Sequence, residues 1–173
     1  MANTLYDALI PSFRQILGSV QGLIAKAEAH MAEHGVSEDE LVTARLAPDM
    51  LPLAYQIKAS AEHSKAAILG VRAGVYSPDL TPPPMTFAAL GKKLDDAQTF
   101  LSDLDPQEVN GFEGQDMRFE FGERKIPFTA ESFLLSFAQP NFYFHATTAY
   151  AVLRMKGVKI GKPDFLGAMR IKA

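Results

Sequence analysis

The sequence predicts an all-α fold, a four-helix bundle carrying a small β-hairpin before its last helix. Three observations predict it. Four long stretches repeat apolar residues at the helical period of 3.6. A proline-rich segment, "GVYSPDLTPPPM", breaks the second stretch from the third. One short segment, "DMRFEFGERKIPF", switches the period from 3.6 to 2.

The first helix spans about 4–34, where Leu5, Leu9, Ile16, Val20, Leu23, Ala27 and Met31 share the apolar spacing. Asn3 or Thr4 caps its start and Gly35 follows its end. Pro11 lacks a backbone donor and predicts a kink or a late start. Ser37 with Glu40 reads as a capping box opening a short helix that ends at Ala47-Pro48.

The second long helix runs from about Leu51 to Ala73, with Leu53, Ile57, Ala61, Ala67 and Ile68 among its apolar positions. The four prolines that follow make 74–85 an extended crossover. The third helix spans about Thr86 to Leu104 through Phe87, Leu90, Leu94, Ala97 and Leu101. A two-residue turn at Gly122-Glu123 then sets a hairpin register, with Phe119 opposite Ile126, Met117 opposite Phe128 and Glu120 opposite Lys125. Thr129 caps the last helix, which runs to about Lys156 and should bend or split at Pro140. The tail from Val158 reads as irregular, with Phe165 and Leu166 returning to the body. The long crossover allows helices two and three to lie parallel.

Composition narrows the function. The 173 residues suit one domain, 1–173, with a sizeable core. The chain is 47% hydrophobic and 21% charged, with a net charge of -3 and no basic run. Nothing favours nucleic acid as a partner. Cysteine is absent, which excludes disulfides, thiolate metal ligands and a cysteine nucleophile. The N-terminus shows no signal-peptide pattern and no window approaches 18 apolar residues, so a cytoplasmic protein without membrane spans is expected.

Candidate chemistry sits on helix four. Leu134, Ala138, Asn141, His145, Thr148 and Val152 fall on one stripe, so three polar groups interrupt a face that looks into the bundle. Buried polar groups need partners, and an unmet one costs about 1–3 kcal/mol. Gln56 and His63, seven residues apart on helix two, share a face and could supply them. Three readings follow: a hydrogen-bond network fixing helix register, a pocket for a small organic ligand, or a divalent metal on His63 and His145. Zinc or nickel would favour those imidazoles, with amides as poor further ligands.

His30 and His34 also stand four apart, but in the last turns before Gly35 and without an HExxH pattern, so both read as surface residues at a helix C-terminus. No GxSxG, Walker loop or GxGxxG occurs. Glu38-Asp39-Glu40 reads as a solvated first turn, and Thr147-Thr148 as helix threonines bonding to the preceding turn.

The words "ARLAPDMLPLAYQI" (44–57), "PNFYFHATTAYAVLRMKGV" (140–158) and "GKPDFLG" (161–167) carry a resemblance to the DinB/YfiT-like helical-bundle superfamily. Within it, the chain resembles an uncharacterised bacterial branch defined as a domain of unknown function. The resemblance covers essentially the whole chain. It implies an up-down-down-up bundle, often dimeric, whose metal-binding members hold the ion with one His on helix two and a His-x-x-x-His pair on helix four. The second His of that pair is typically followed by Arg after nine residues and then by Gly. His145, with Arg154 and Gly157, matches that second position, and Asn141 then stands where the first His would be. The helix-two position falls on Gln56 or His63. The resemblance, with the polar stripe, implies a degenerate polar site with a small-molecule binding or structural role, Gln56, Asn141, His145 and Thr148 as ligand-binding residues, no metal or other cofactor favoured, and a homodimer. Its alternative is a zinc- or nickel-dependent enzyme of thiol-transferase type with His63 and His145 as metal ligands.

Overall fold

The structure, a computed structural model, describes residues 3–172; residues 1, 2 and 173 of the expected 1–173 domain lie outside that range. Helix α1 (Leu5–His34) begins at a full capping box: Asp7 N donates to the Thr4 hydroxyl, and the Thr4 amide donates to the Asp7 carboxylate. Of the kink or late start expected at Pro11, the late start does not occur, because α1 begins at Leu5 and continues through Pro11. The carbonyl that Pro11 leaves without a helical donor is that of Asp7, an exposed residue, so the missing bond falls outside the core. Gly35 closes the helix in the left-handed region at φ 68°.

Helix α2 (Glu38–Val42) has half of the expected box. Glu40 N donates to Ser37 Oγ, but the Glu40 carboxylate pairs with Lys156 at 2.6 Å instead of returning to the cap. The second long helix comprises α3 (Leu53–Ala61), a π-helical turn (Glu62–Ala66) and α4 (Ala67–Ala73). It starts at Leu53, after Pro52 at its N-cap, and Gly74 ends it at φ 69°. The third is α5 (Phe87–Ser102), capped by Thr86 and followed by the short α6 (Pro106–Asn110). The fourth comprises α7 (Ala130–Phe133), a π-helical turn (Leu134–Ala138) and α8 (Gln139–Met155). Pro140 thus sits in the first turn of α8, where its missing N–H is tolerated and the wider turn before it absorbs the misfit.

Helix α1 packs against α5 and α8, and α3 packs against the same two helices. Each long helix thereby buries an apolar stripe between two neighbours. Phe13 and Phe142 meet edge to face at 4.7 Å in the middle of the core. The chain is mostly helical, with one small sheet and no helix, among the described residues, long and apolar enough to cross a membrane.

The hairpin expectation needs one correction: the sheet has three strands. β1 (Val75–Tyr76), inside the crossover, pairs parallel with β2 (Asp116–Phe121), which pairs antiparallel with β3 (Arg124–Thr129). A two-residue strand has no period to read, so the alternation revealed only its partners. Between β2 and β3 the pairs are Phe119 with Ile126, Met117 with Phe128 and Glu120 with Lys125. The tail is also more regular than expected, because α9 (Lys162–Leu166) forms and docks on α1. Asp164 accepts from Gly161 N at 2.7 Å and pairs with Lys26 at 2.9 Å, while Gln15 Nε2 donates to the Leu166 carbonyl at 2.7 Å.

Candidate functional site between helices two and four

Pro52 sets the start of α3, and this places Gln56, 2% exposed, within reach of the preceding loop. Its Nε2 donates to the Leu51 carbonyl at 2.9 Å. The amide oxygen must then face His145, whose Nδ1 lies 2.8 Å from Gln56 Oε1. The reverse amide would set two carbonyl oxygens together. The network therefore assigns the His145 proton to Nδ1 and leaves a lone pair on Nε2.

His63 follows Gln56 by seven residues and sits in the π-helical turn of the second helix. Its ring stacks on His145, with centroids 5.3 Å apart and planes 11° from parallel. Tyr76 of β1 and Phe137 of the second π-helical turn each bring a ring to 6.0 Å from it. His63 is 9% exposed, and its Nδ1 is buried with no hydrogen-bond partner among the described residues. Burial pushes His63 down to about 4, helped by the neighbouring His145, and burial alone pushes His145 down to about 4. Both rings are therefore neutral at pH 7.

The other two expected site residues satisfy themselves. Asn141 Nδ2 donates to the Phe137 carbonyl at 2.7 Å, and Thr148 Oγ1 donates to the Phe144 carbonyl at 2.8 Å. Each bonds back by one turn in its own helix. The structure thus joins Gln56 to His145, adds His63 against them, and leaves Asn141 and Thr148 without a bond to either.

Beside His63 opens a cleft walled by Tyr55, Glu62, Tyr76, Pro78 and Asp79, with a free volume of about 10 Å³, room for about one water. Burial, then the charges of Glu62 and Asp79, raise the Tyr55 phenol, and burial chiefly raises Tyr76, so both hydroxyls keep their protons. One end of the cleft is tied by Lys58, 1% exposed. Sequence reading passed over Lys58 and the cleft walls. Lys58 was the detectable member, since it shares helical spacing with the apolar Ala54 and Ala61. Tyr76, Pro78 and Asp79 lie in the crossover, where no period marks which side chains turn inward.

The histidine pair on α1 also needs correction. His34 is exposed, but His30 is only 8% exposed and stacks on His34 at 4.4 Å. Gly157, in the left-handed region at φ 87°, follows the end of helix four beside His30, where an added Cβ would lie 3.7 Å from His30 Cε1, an ordinary contact distance.

A three-histidine metal centre does not fit these residues. The Gln56 amide is engaged at both ends, by Leu51 and His145, and the Asn141 amide nitrogen is held by its own helix. In stacked rings the in-plane lone pairs run side by side, so His63 and His145 as placed do not converge on one ion at about 2.0–2.1 Å from each. Among the described residues, no three His, Asp or Glu side chains are grouped to hold a metal.

The fold is that of a DinB-like uncharacterised domain. Over 98% of this chain and 95% of its own, the crystal structure of a DinB family member protein from Shewanella denitrificans is similar, with a TM-score of 0.81 and 29% identity. The family model described as "Domain of unknown function (DUF1993)" matches residues 5–166, and the chain belongs to that family. No curated protein matches it.

Proposed function

We propose that this chain is a small-molecule-binding bundle that works without metal, with Gln56 and His145 as the polar floor of its site and His63 as the group that meets the ligand. Asn141 and Thr148 shape the adjoining face of helix four. One observation carries the reading: a neutral imidazole that lines a cleft between helix two and the crossover keeps a buried Nδ1 without a partner among the described residues. Such a group costs about 1–3 kcal/mol unless something bonds to it. The reading includes an up-down-down-up order of the long helices, a homodimer, and residence in the reducing cytoplasm that a cysteine-free chain suits.

A screen of small polar organic molecules, followed through the ring resonances of His63 and His145, tests the site. Hits should shift both rings; hits that bind the protein and shift neither overturn the assignment.

A second reading, a zinc- or nickel-dependent enzyme of thiol-transferase type using His63 and His145, has one observation in its favour. A ligand histidine commonly donates its second nitrogen to a carbonyl, and His145 does so to Gln56. Untagged protein titrated with zinc or nickel separates the two. No saturable one-to-one complex is expected, and one that disappears in His145→Ala would establish the second reading instead.

A further inference from the structure

Lys58 holds an ammonium group at 1% exposure, and among the described residues its polar partners belong to two residues of the crossover. Its Nζ pairs with Asp79 Oδ2 at 2.9 Å and donates to the Asp79 carbonyl at 3.2 Å, the Thr81 carbonyl at 2.7 Å and Thr81 Oγ1 at 3.1 Å. An ammonium buried alone is prohibitively unfavourable, and even a paired one gains little over an apolar side chain of the same size. A leucine or methionine would fill the same space on helix two. It would not grip two backbone carbonyls and a carboxylate of a segment that has no helix or strand of its own.

Asp79 is prepared for this pairing. Its second oxygen accepts from Thr81 N at 2.8 Å, and the bonds from Thr81 and Lys58 hold its carboxyl well below the usual range. The segment is also fixed upstream, where Val75 and Tyr76 pair with β2. Between these two anchors lie Ser77 and Pro78, and Pro78 and Asp79 form the outer wall of the His63 cleft. The free space there accommodates about one water, so a larger ligand needs the cleft to widen, and Pro78 and Asp79 are the wall that belongs to no helix or strand.

We propose that Lys58 is a positioning residue whose ammonium straps the Ser77–Thr81 segment over His63, and that release of this strap admits ligand to the His63–His145 pair. The role of the strap as a gate rests on the small-molecule reading above, whereas the strap itself does not.

Hydrogen–deuterium exchange at the imidazole Cε1 position, followed by mass spectrometry of the full chain in deuterium oxide, reads the strap without any ligand. His63 should exchange slowly in the parent protein, and in Lys58→Met its rate should rise roughly tenfold as local opening becomes easier. Exposed His34 should keep its rate and serve as the internal reference. Asp79→Asn, which leaves helix two untouched, should raise the His63 rate in the same direction by a smaller factor, and it replaces Lys58→Met if that variant does not fold. An unchanged His63 rate in a folded variant overturns the strap. Faster exchange in a protein for which no small molecule shifts the His63 resonance leaves the strap standing and removes the small-molecule reading.

Discussion

The site is decided by how three side chains share too few partners. Gln56 has two polar ends, and Leu51 takes one, so His145 receives only the oxygen and must present its Nδ1 proton to it. His63 is left with a buried nitrogen and a neighbouring imidazole that resists a second charge. Both rings hold pKa values near 4, against 6.5 for a free histidine, so the unfolded chain binds more protons between those values. Stability is therefore complete above pH 6.5 and is lost as pH falls through that window toward 4. For His63 the full shift corresponds to about 3 kcal/mol; the more exposed His145 contributes less. Thermal melts from pH 7 to 4 should show this decline, with a shallower slope in His63→Phe. An identical slope in that variant would mean that His63 does not titrate against burial. The polar stripe on helix four and the Gln56–His63 spacing made these residues visible in the sequence. The pairing itself was not, because it depends on Leu51, a loop carbonyl with no signature.

Elements were legible to the degree that their periods are long. Four amphipathic stretches gave helices within about two residues of their ends, and strict alternation placed Phe119 against Ile126. The π-helical turns at Glu62–Ala66 and Leu134–Ala138 left no trace, since a widened turn uses the same residues as an α-turn. They matter nonetheless, for one carries His63 and the other carries Phe137. The parallel strand Val75–Tyr76 depends on Gly70, where an added Cβ would lie 2.9 Å from Tyr76 Cβ and 3.3 Å from its Cα. In an ordinary helix Gly→Ala gains about 0.5–1 kcal/mol. Here the overpacking, about 1–3 kcal/mol, outweighs that gain. Urea unfolding of Gly70→Ala should show a net loss of stability, and a stabilised variant would mean that β1 is not seated as tightly as this contact requires.

At the scale of the whole molecule, the long helices satisfy one another through their inner faces, and the outer side of α8 carries an uncharged, largely apolar stripe. On α8, Phe144, Thr147, Ala151 and Met155 recur at spacings of three and four, so they form a single stripe. Phe144 is 55% exposed and Met155 50% exposed, with no charged residue in the stripe. Isolated apolar residues on a surface need no explanation, but a continuous helical stripe matches the face through which two helices pack. A two-fold axis beside α8 would set this stripe against its own copy, burying both at once. Light scattering should then give twice the 18.9 kDa chain mass, about 38 kDa. Met155→Lys places a charge at a position already open to solvent in the single chain. It also suits the C-terminal end of the helix dipole, so it should leave the fold intact and return the mass to 18.9 kDa. A parent protein that runs at the monomer mass removes the dimer, and a Met155→Lys variant that stays at the doubled mass moves the interface away from α8.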